Sequence, residues 1–120
     1  MKKFLPLFLL LVMLAVAGCQ RGPATYQYTD NPHEIVVNAE KFVNQVSKKS
    51  KHYTAEEWDA AVGQFVTMCK NYYENSKSLT NEEQMKFDKA RLKFMDAISA
   101  AGKDDVARRV KEDYARIIGN

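Results

Sequence analysis

Hydrophobic positions along this chain follow two regimes. From Phe4 to Val16 they form one run broken only by Pro6, whereas from Ile35 onward they recur every three or four residues. The second spacing places apolar side chains on one side of an α-helix and predicts amphipathic helices packed against one another. Between the two regimes lies a segment with Gly22, Pro23, Thr25 and Thr29 and no helical period, which reads as a flexible tether.

Four helices follow. Asn31 and Pro32 make a helix start, an N-cap with proline at the first helical position. From there Ile35, Val36, Ala39, Phe42, Val43 and Val46 share an arc opposite Glu40, Lys41, Asn44 and Lys48. Lys48, Lys49, Lys51 and His52 finish this helix, where cations suit the negative end of the helix dipole. In Tyr53-Thr54-Ala55-Glu56-Glu57-Trp58, Thr54 and Glu57 have the spacing of a capping box, and Tyr53 and Trp58 that of a hydrophobic staple. The second helix then carries a stripe of Trp58, Ala61, Val62, Phe65, Val66, Cys69, Tyr72 and Tyr73. Thr80 and Glu83 repeat the box in front of a third helix whose face is Phe87, Ala90, Phe94, Ala97, Ile98 and Ala101. The repeat has two explanations, a duplicated hairpin or the separate selection of one capping chemistry, and the second is preferred.

Met85, Leu92 and Met95 flank the third face and widen it, so this helix is expected to touch more than one neighbour. Arg91 falls within the widened arc; a long stem with a solvated head accounts for it, with a ligand-facing arginine as the alternative. Gly102 suits the end of the third helix, and Asp104 and Asp105 the start of a short fourth. That last helix shows Val106, Ala107, Val110, Tyr114, Ile117 and Ile118 on one face. The expected fold is all-α, a small antiparallel bundle of three longer helices and a short C-terminal fourth.

The first regime has a different meaning. Lys2 and Lys3 precede an apolar run too short for a bilayer, which needs about 20 residues; the pattern is that of a secretory signal peptide. Side chains shrink at its end to Ala17 and Gly18, and Cys19 follows. Val16-Ala17-Gly18-Cys19 resembles the lipobox of bacterial lipoproteins. The resemblance implies cleavage between Gly18 and Cys19 and conversion of Cys19 to a diacylglyceryl cysteine that carries palmitate-like chains. One chain holds a protein weakly to a membrane and two or more hold it firmly. The chain thus divides into a signal peptide 1–18, a lipidated tether 19–30 and a helical domain 31–120. Within the tether Tyr26 and Tyr28 have two places open to them, the membrane surface or the face of the domain. In the lipoprotein family, Gln20 after the cysteine, in place of Asp, implies the outer membrane. A tether without an acidic cluster implies the face toward the periplasm.

Cleavage also changes the charge. The chain has 18 Lys and Arg against 15 Asp and Glu, and loss of Lys2 and Lys3 leaves 16 against 15. A near-neutral domain offers no electrostatic case for nucleic acid. With Cys19 carrying lipid, Cys69 has no intrachain partner, and its place mid-stripe suits a buried apolar thiol.

Catalytic signals are weak. His33 and His52 have no metal-ligand spacing. Glu56-Glu57, Glu82-Glu83 and Asp104-Asp105 all sit at helix starts, where caps and dipole explain them. No enzyme activity, cofactor or metal is expected. From about Ala39 to Met95, the two capped starts and the aromatic positions resemble a Bacteroidota-type family of small helical lipoproteins of unknown function, which implies the same helical lipoprotein architecture and no catalytic residue. The expected role is a lipid-anchored, non-catalytic binding or scaffolding module with an envelope protein partner. The alternative is a periplasmic chaperone-like or stress-related protein, which would need an exposed apolar concavity; the wide third arc and off-face Val37 are its hints. Murein attachment is discounted, since the chain ends Ile118-Gly119-Asn120 without the lysine such linkage uses.

Overall fold

A computed structural model describes residues 24–119, and among these the regular structure is entirely helical. The helices are α1 (Pro32–Lys49), α2 (Ala55–Asn75), α3 (Asn81–Ala100) and α4 (Asp104–Gly119), with single 3-10 turns at Ser50–His52 and Ser76–Ser78. The first three starts are built from the residues that announced them. The Asn31 side chain accepts from the His33 N–H. At α2, Thr54 Oγ1 accepts from the Glu57 N–H at 3.1 Å while Glu57 Oε1 accepts from the Thr54 N–H at 2.8 Å. Thr80 and Glu83 repeat the exchange at 3.1 and 3.0 Å. Tyr53 closes edge-on against Trp58 with ring centres 5.4 Å apart, so the staple is formed. The second start has Gln84 at the staple position; its amide donates to the carbonyls of Ser76 and Leu79 and ties the preceding turn instead.

Gly102 ends α3 with φ +69°, a conformation glycine adopts without the Cβ clash other residues meet. The Lys103 N–H bonds to Ile98 O and the Gly102 N–H to Ser99 O, the paired closure of a Schellman motif.

Short turns make consecutive helices antiparallel, yet the most extensive helix contacts are between α1 and α3 and between α2 and α4, which run parallel. His33 meets Glu83 and Asn44 meets Lys93 along the first pair; Asp59 meets Arg109 across the second. Around the bundle the order is therefore α1, α3, α4, α2. The α2 and α3 helices face each other across the short diagonal, bridged by rings: Phe65 stacks on Phe94 at 4.2 Å and Tyr72 on Phe87 at 3.8 Å. Phe42 and Trp58 close on Phe94 from α1 and from the start of α2. Such ring pairs add about 0.5–1.5 kcal/mol each beyond the apolar area they bury.

The α1 face is buried as the spacing predicts, in all six positions. On α3, Phe87, Ala90, Phe94, Ala97 and Ile98 are buried, Met95 and Ala101 are partly buried, and Met85 and Leu92 stand 62% and 53% exposed. The helix does touch more than one neighbour, α1 and α4 along its length and α2 through its rings, but Met85 and Leu92 are not part of that packing. Val66 and Tyr72 on α2 are half-buried and Tyr73 is exposed. Val106 and Val110 of α4 are buried, with Ala107, Tyr114 and Ile117 packed at the edge; the side chain of Ile118 lies outside those described.

The expectation that needs correcting concerns the tether. Residues 24–30 have no regular structure, as expected, but they are not loose. They lie as a strap along α2, with Ala24 and Tyr26 buried in the core. The reason is a second buried face on α2, formed by Gln64, Met68 and Asn71. Gln64 Oε1 accepts from the Tyr26 N–H at 2.8 Å. Asn71, fully buried, accepts from the Tyr26 hydroxyl at 2.6 Å and the Thr29 N–H at 3.1 Å, and donates to Thr29 O at 2.9 Å. Of the two places open to the tyrosines, Tyr26 takes the domain. Tyr28 stays half exposed and donates to Glu74 at 2.7 Å.

Candidate functional site

Gly18 and Cys19, the predicted cleavage and lipidation positions, lie outside the described residues. The domain itself brings together a groove that the sequence indicated only in part. It forms where α3 and α4 diverge from the Gly102 turn, with a volume of about 430 Å³ and walls that include Leu92, Met95, Ala107, Val110 and Tyr114. Phe65 of α2 makes its floor. Arg91, Asp96 and Lys111 supply charges of both signs at the rim.

Arg91 is the position where the two sequence readings diverge. Its guanidinium carbon lies 5.0 Å from the centre of the Tyr114 ring, a cation–π contact between α3 and α4. Nε is 3.9 Å from Asp88 Oδ1 and makes no hydrogen bond. The side chain is partly covered rather than extended into water, so it is a wall of the groove as well as a solubilising head.

A second, more open cleft of about 640 Å³ lies between α2 and α4. Lys70, Glu74, Asp113 and Arg116 line it, with Arg116 paired to Asp113. Its mixed charges belong to a solvated seam, and its apolar share is Val66, Tyr73 and Ile117.

Two of the paired carboxylates and one of the histidines have structural partners. Glu57 and Glu83 complete the two capping boxes. The Glu83 carboxyl is held below its ordinary value by the Thr80 N–H and by His33, whose Nδ1 lies 2.9 Å away. Cys69 is buried, and burial pushes its thiol from 9.0 up to about 12, with the Arg91 charge opposing the rise. A reactive thiol requires the reverse, a lowered value and access. Among the described residues no three His, Cys, Asp or Glu side chains are grouped to hold a metal, and no helix is long and apolar enough to cross a membrane.

No family model, curated protein or solved structure matches the chain. The resemblances named above rest on their residues alone.

The strap contacts were missed at the sequence level, although a signal was present. Gln64 and Asn71 lie at helical spacing on α2, off the aromatic stripe, with Met68 between them on the same face. Amides repeated at that spacing beside an apolar residue mark a face buried against backbone, because amides satisfy both N–H and C=O groups.

Proposed function

We propose that this chain is a lipid-anchored protein of the cell envelope and acts without catalysis as a binding or scaffolding module. In this reading residues 1–18 are a signal peptide cleaved after Gly18, Cys19 carries the lipid, and the domain sits on the periplasmic face of the outer membrane. Its envelope protein partner binds in the α3–α4 groove. The observation that carries the binding role is Leu92. This large apolar side chain is 53% exposed at the lip of a groove floored by Phe65, within a rim of both charge signs. An apolar centre with a polar rim is the anatomy of a specific protein contact. The chaperone reading draws support from the same groove, but Val37 on α1 and Met85 at the start of α3 are exposed apart from it. A narrow groove with a charged rim suits one partner better than many unfolded clients.

Two measurements test the parts of this proposal. Cys19→Ser should abolish labelling by a fatty-acid probe and release the protein from membranes; retained labelling contradicts the anchor. A photo-crosslinker in place of Leu92 should yield one stoichiometric adduct in intact envelopes. A smear of adducts, together with suppressed aggregation of an unrelated unfolded client, would favour the chaperone. No adduct at all would remove the groove from consideration.

A further inference from the structure

The strap fixes where the chain enters the domain, and this has a consequence for how a lipid-anchored domain must lie. Ala24 is buried at the α2 start, where its N–H donates to the Tyr53 hydroxyl at 3.2 Å. From Ala24 the strap advances along α2 past Gln64 and Asn71 to Glu74 before turning into α1. The free end therefore emerges at the end of the bundle formed by the Ser50–His52 turn and the Ala101–Lys103 turn, where Lys103 and Ala55 border one cleft. Ala24 is five steps along the chain from Cys19, and at no more than about 3.6 Å each these reach roughly 18 Å. The helices are longer than this leash, since a 20-residue helix spans about 30 Å.

We propose that the strap is a fixed spacer that seats this end of the bundle on the lipid headgroups and points the opposite end, with His33 and Lys77, away from the membrane. The partner is the phospholipid surface itself. The inference rests on the acylation of Cys19 proposed above. The seat is geometric: Lys48, Lys49, Lys51 and Lys103 at this end are offset by Glu56, Glu57, Asp104 and Asp105, so no net attraction to anionic lipid is required. The α3–α4 groove then opens sideways along the membrane, where another anchored or embedded protein can reach it.

The test uses the full chain, purified with its acyl group and placed in phosphatidylethanolamine–phosphatidylglycerol vesicles that carry a headgroup-linked acceptor dye. A donor dye is attached at Lys51→Cys or at Lys77→Cys, both exposed positions; buried Cys69 and thioether-linked Cys19 do not compete for it. Energy transfer should be at least about twofold greater from position 51, given about 30 Å between the two ends. A Gly-Ser spacer as long as the strap, inserted between Gly22 and Pro23, should bring the ratio toward one without touching the fold. High salt, which screens surface charge, should leave it unchanged. Equal or reversed transfer with the acyl group intact by mass overturns the seat alone, as does a ratio lost in salt. A protein without the acyl group overturns the anchor and the seat together.

Discussion

The α3 helix is covered differently on its two sides, and the difference separates what holds this domain together from what it leaves open to solvent. Toward α1 and across the diagonal to α2, Phe94 is enclosed by Phe42, Trp58 and Phe65, with no exposed surface of its own. Toward α4, the same helix presents Arg91, Leu92 and Met95 to a groove closed only at its floor. The first side is built from rings that fill space at van der Waals contact. The second is built from one long cation over a tyrosine and a leucine that no neighbour covers. Stability should therefore be concentrated on the aromatic side, leaving the groove free to vary.

The sharpest way to break this comparison is Phe94→Ala, which removes the ring shared by three partners. It should cost about 3–5 kcal/mol, as large aromatic truncations in packed cores do, read as a lowered urea midpoint of the helical circular dichroism signal. A loss below about 1 kcal/mol would mean that the diagonal is not the core.

Alkali tests the same side. A group whose folded value is raised keeps its proton in the native state after the unfolded chain has lost it, so stability falls as pH rises. For Cys69 the fall should begin near 9.0 and continue to about 12, at a slope of about 1.4 kcal/mol per pH unit for each such group. Below that window the contribution is fully present. Tyr26, raised chiefly by burial, should add to the fall above its ordinary value of 10.0. Cys69→Ala should flatten the lower part of the profile and Tyr26→Phe the upper part; unchanged profiles in both would contradict their burial.

Asn71→Ala sharpens the role of the strap. Loss of the amide leaves the Tyr26 hydroxyl and the Thr29 N–H and C=O without their partner, at a cost of about 1–3 kcal/mol. Hydrogen exchange should rise at the Tyr26 and Thr29 amides, while the α3 amides stay protected. The smallest effect belongs to the groove. Leu92→Ser should change stability by no more than about 0.5 kcal/mol, yet it should weaken cross-linking of the proposed envelope partner to a photo-crosslinker placed at Lys111 on the same groove rim. A larger loss of stability would mean that the groove is part of the core.

Much of this fold was legible because its signals are local. Capping boxes act within one turn, and the α1 face needs only the helical period to be read. Thr54, Glu57, Thr80, Glu83 and Gly102 all play the parts their spacing suggested. The strap was legible only as spaced amides on α2, because its contacts join Tyr26 to Asn71 and Ala24 to Tyr53 across most of α1 and α2. A buried asparagine looks polar in sequence and becomes a core residue only when a backbone comes to meet it. The width of the α3 arc announced more than one neighbour, but not that Met85 and Leu92 would stand apolar and uncovered. Periodicity tells which residues can share a face; which of them a neighbour reaches depends on the order of helices around the bundle. Here α3 follows α1 around the bundle, an arrangement no local pattern announces.

The anchor is the claim on which location, orientation and partner access all depend, and mass spectrometry of the protein extracted from its own membranes tests it most directly. The N-terminal tryptic peptide should be Cys19-Gln20-Arg21, beginning at Cys19 and heavier by a diacylglyceryl group and an amide-linked acyl chain. A peptide with an unmodified Cys19 thiol, or a chain that still begins at Met1, would contradict the account.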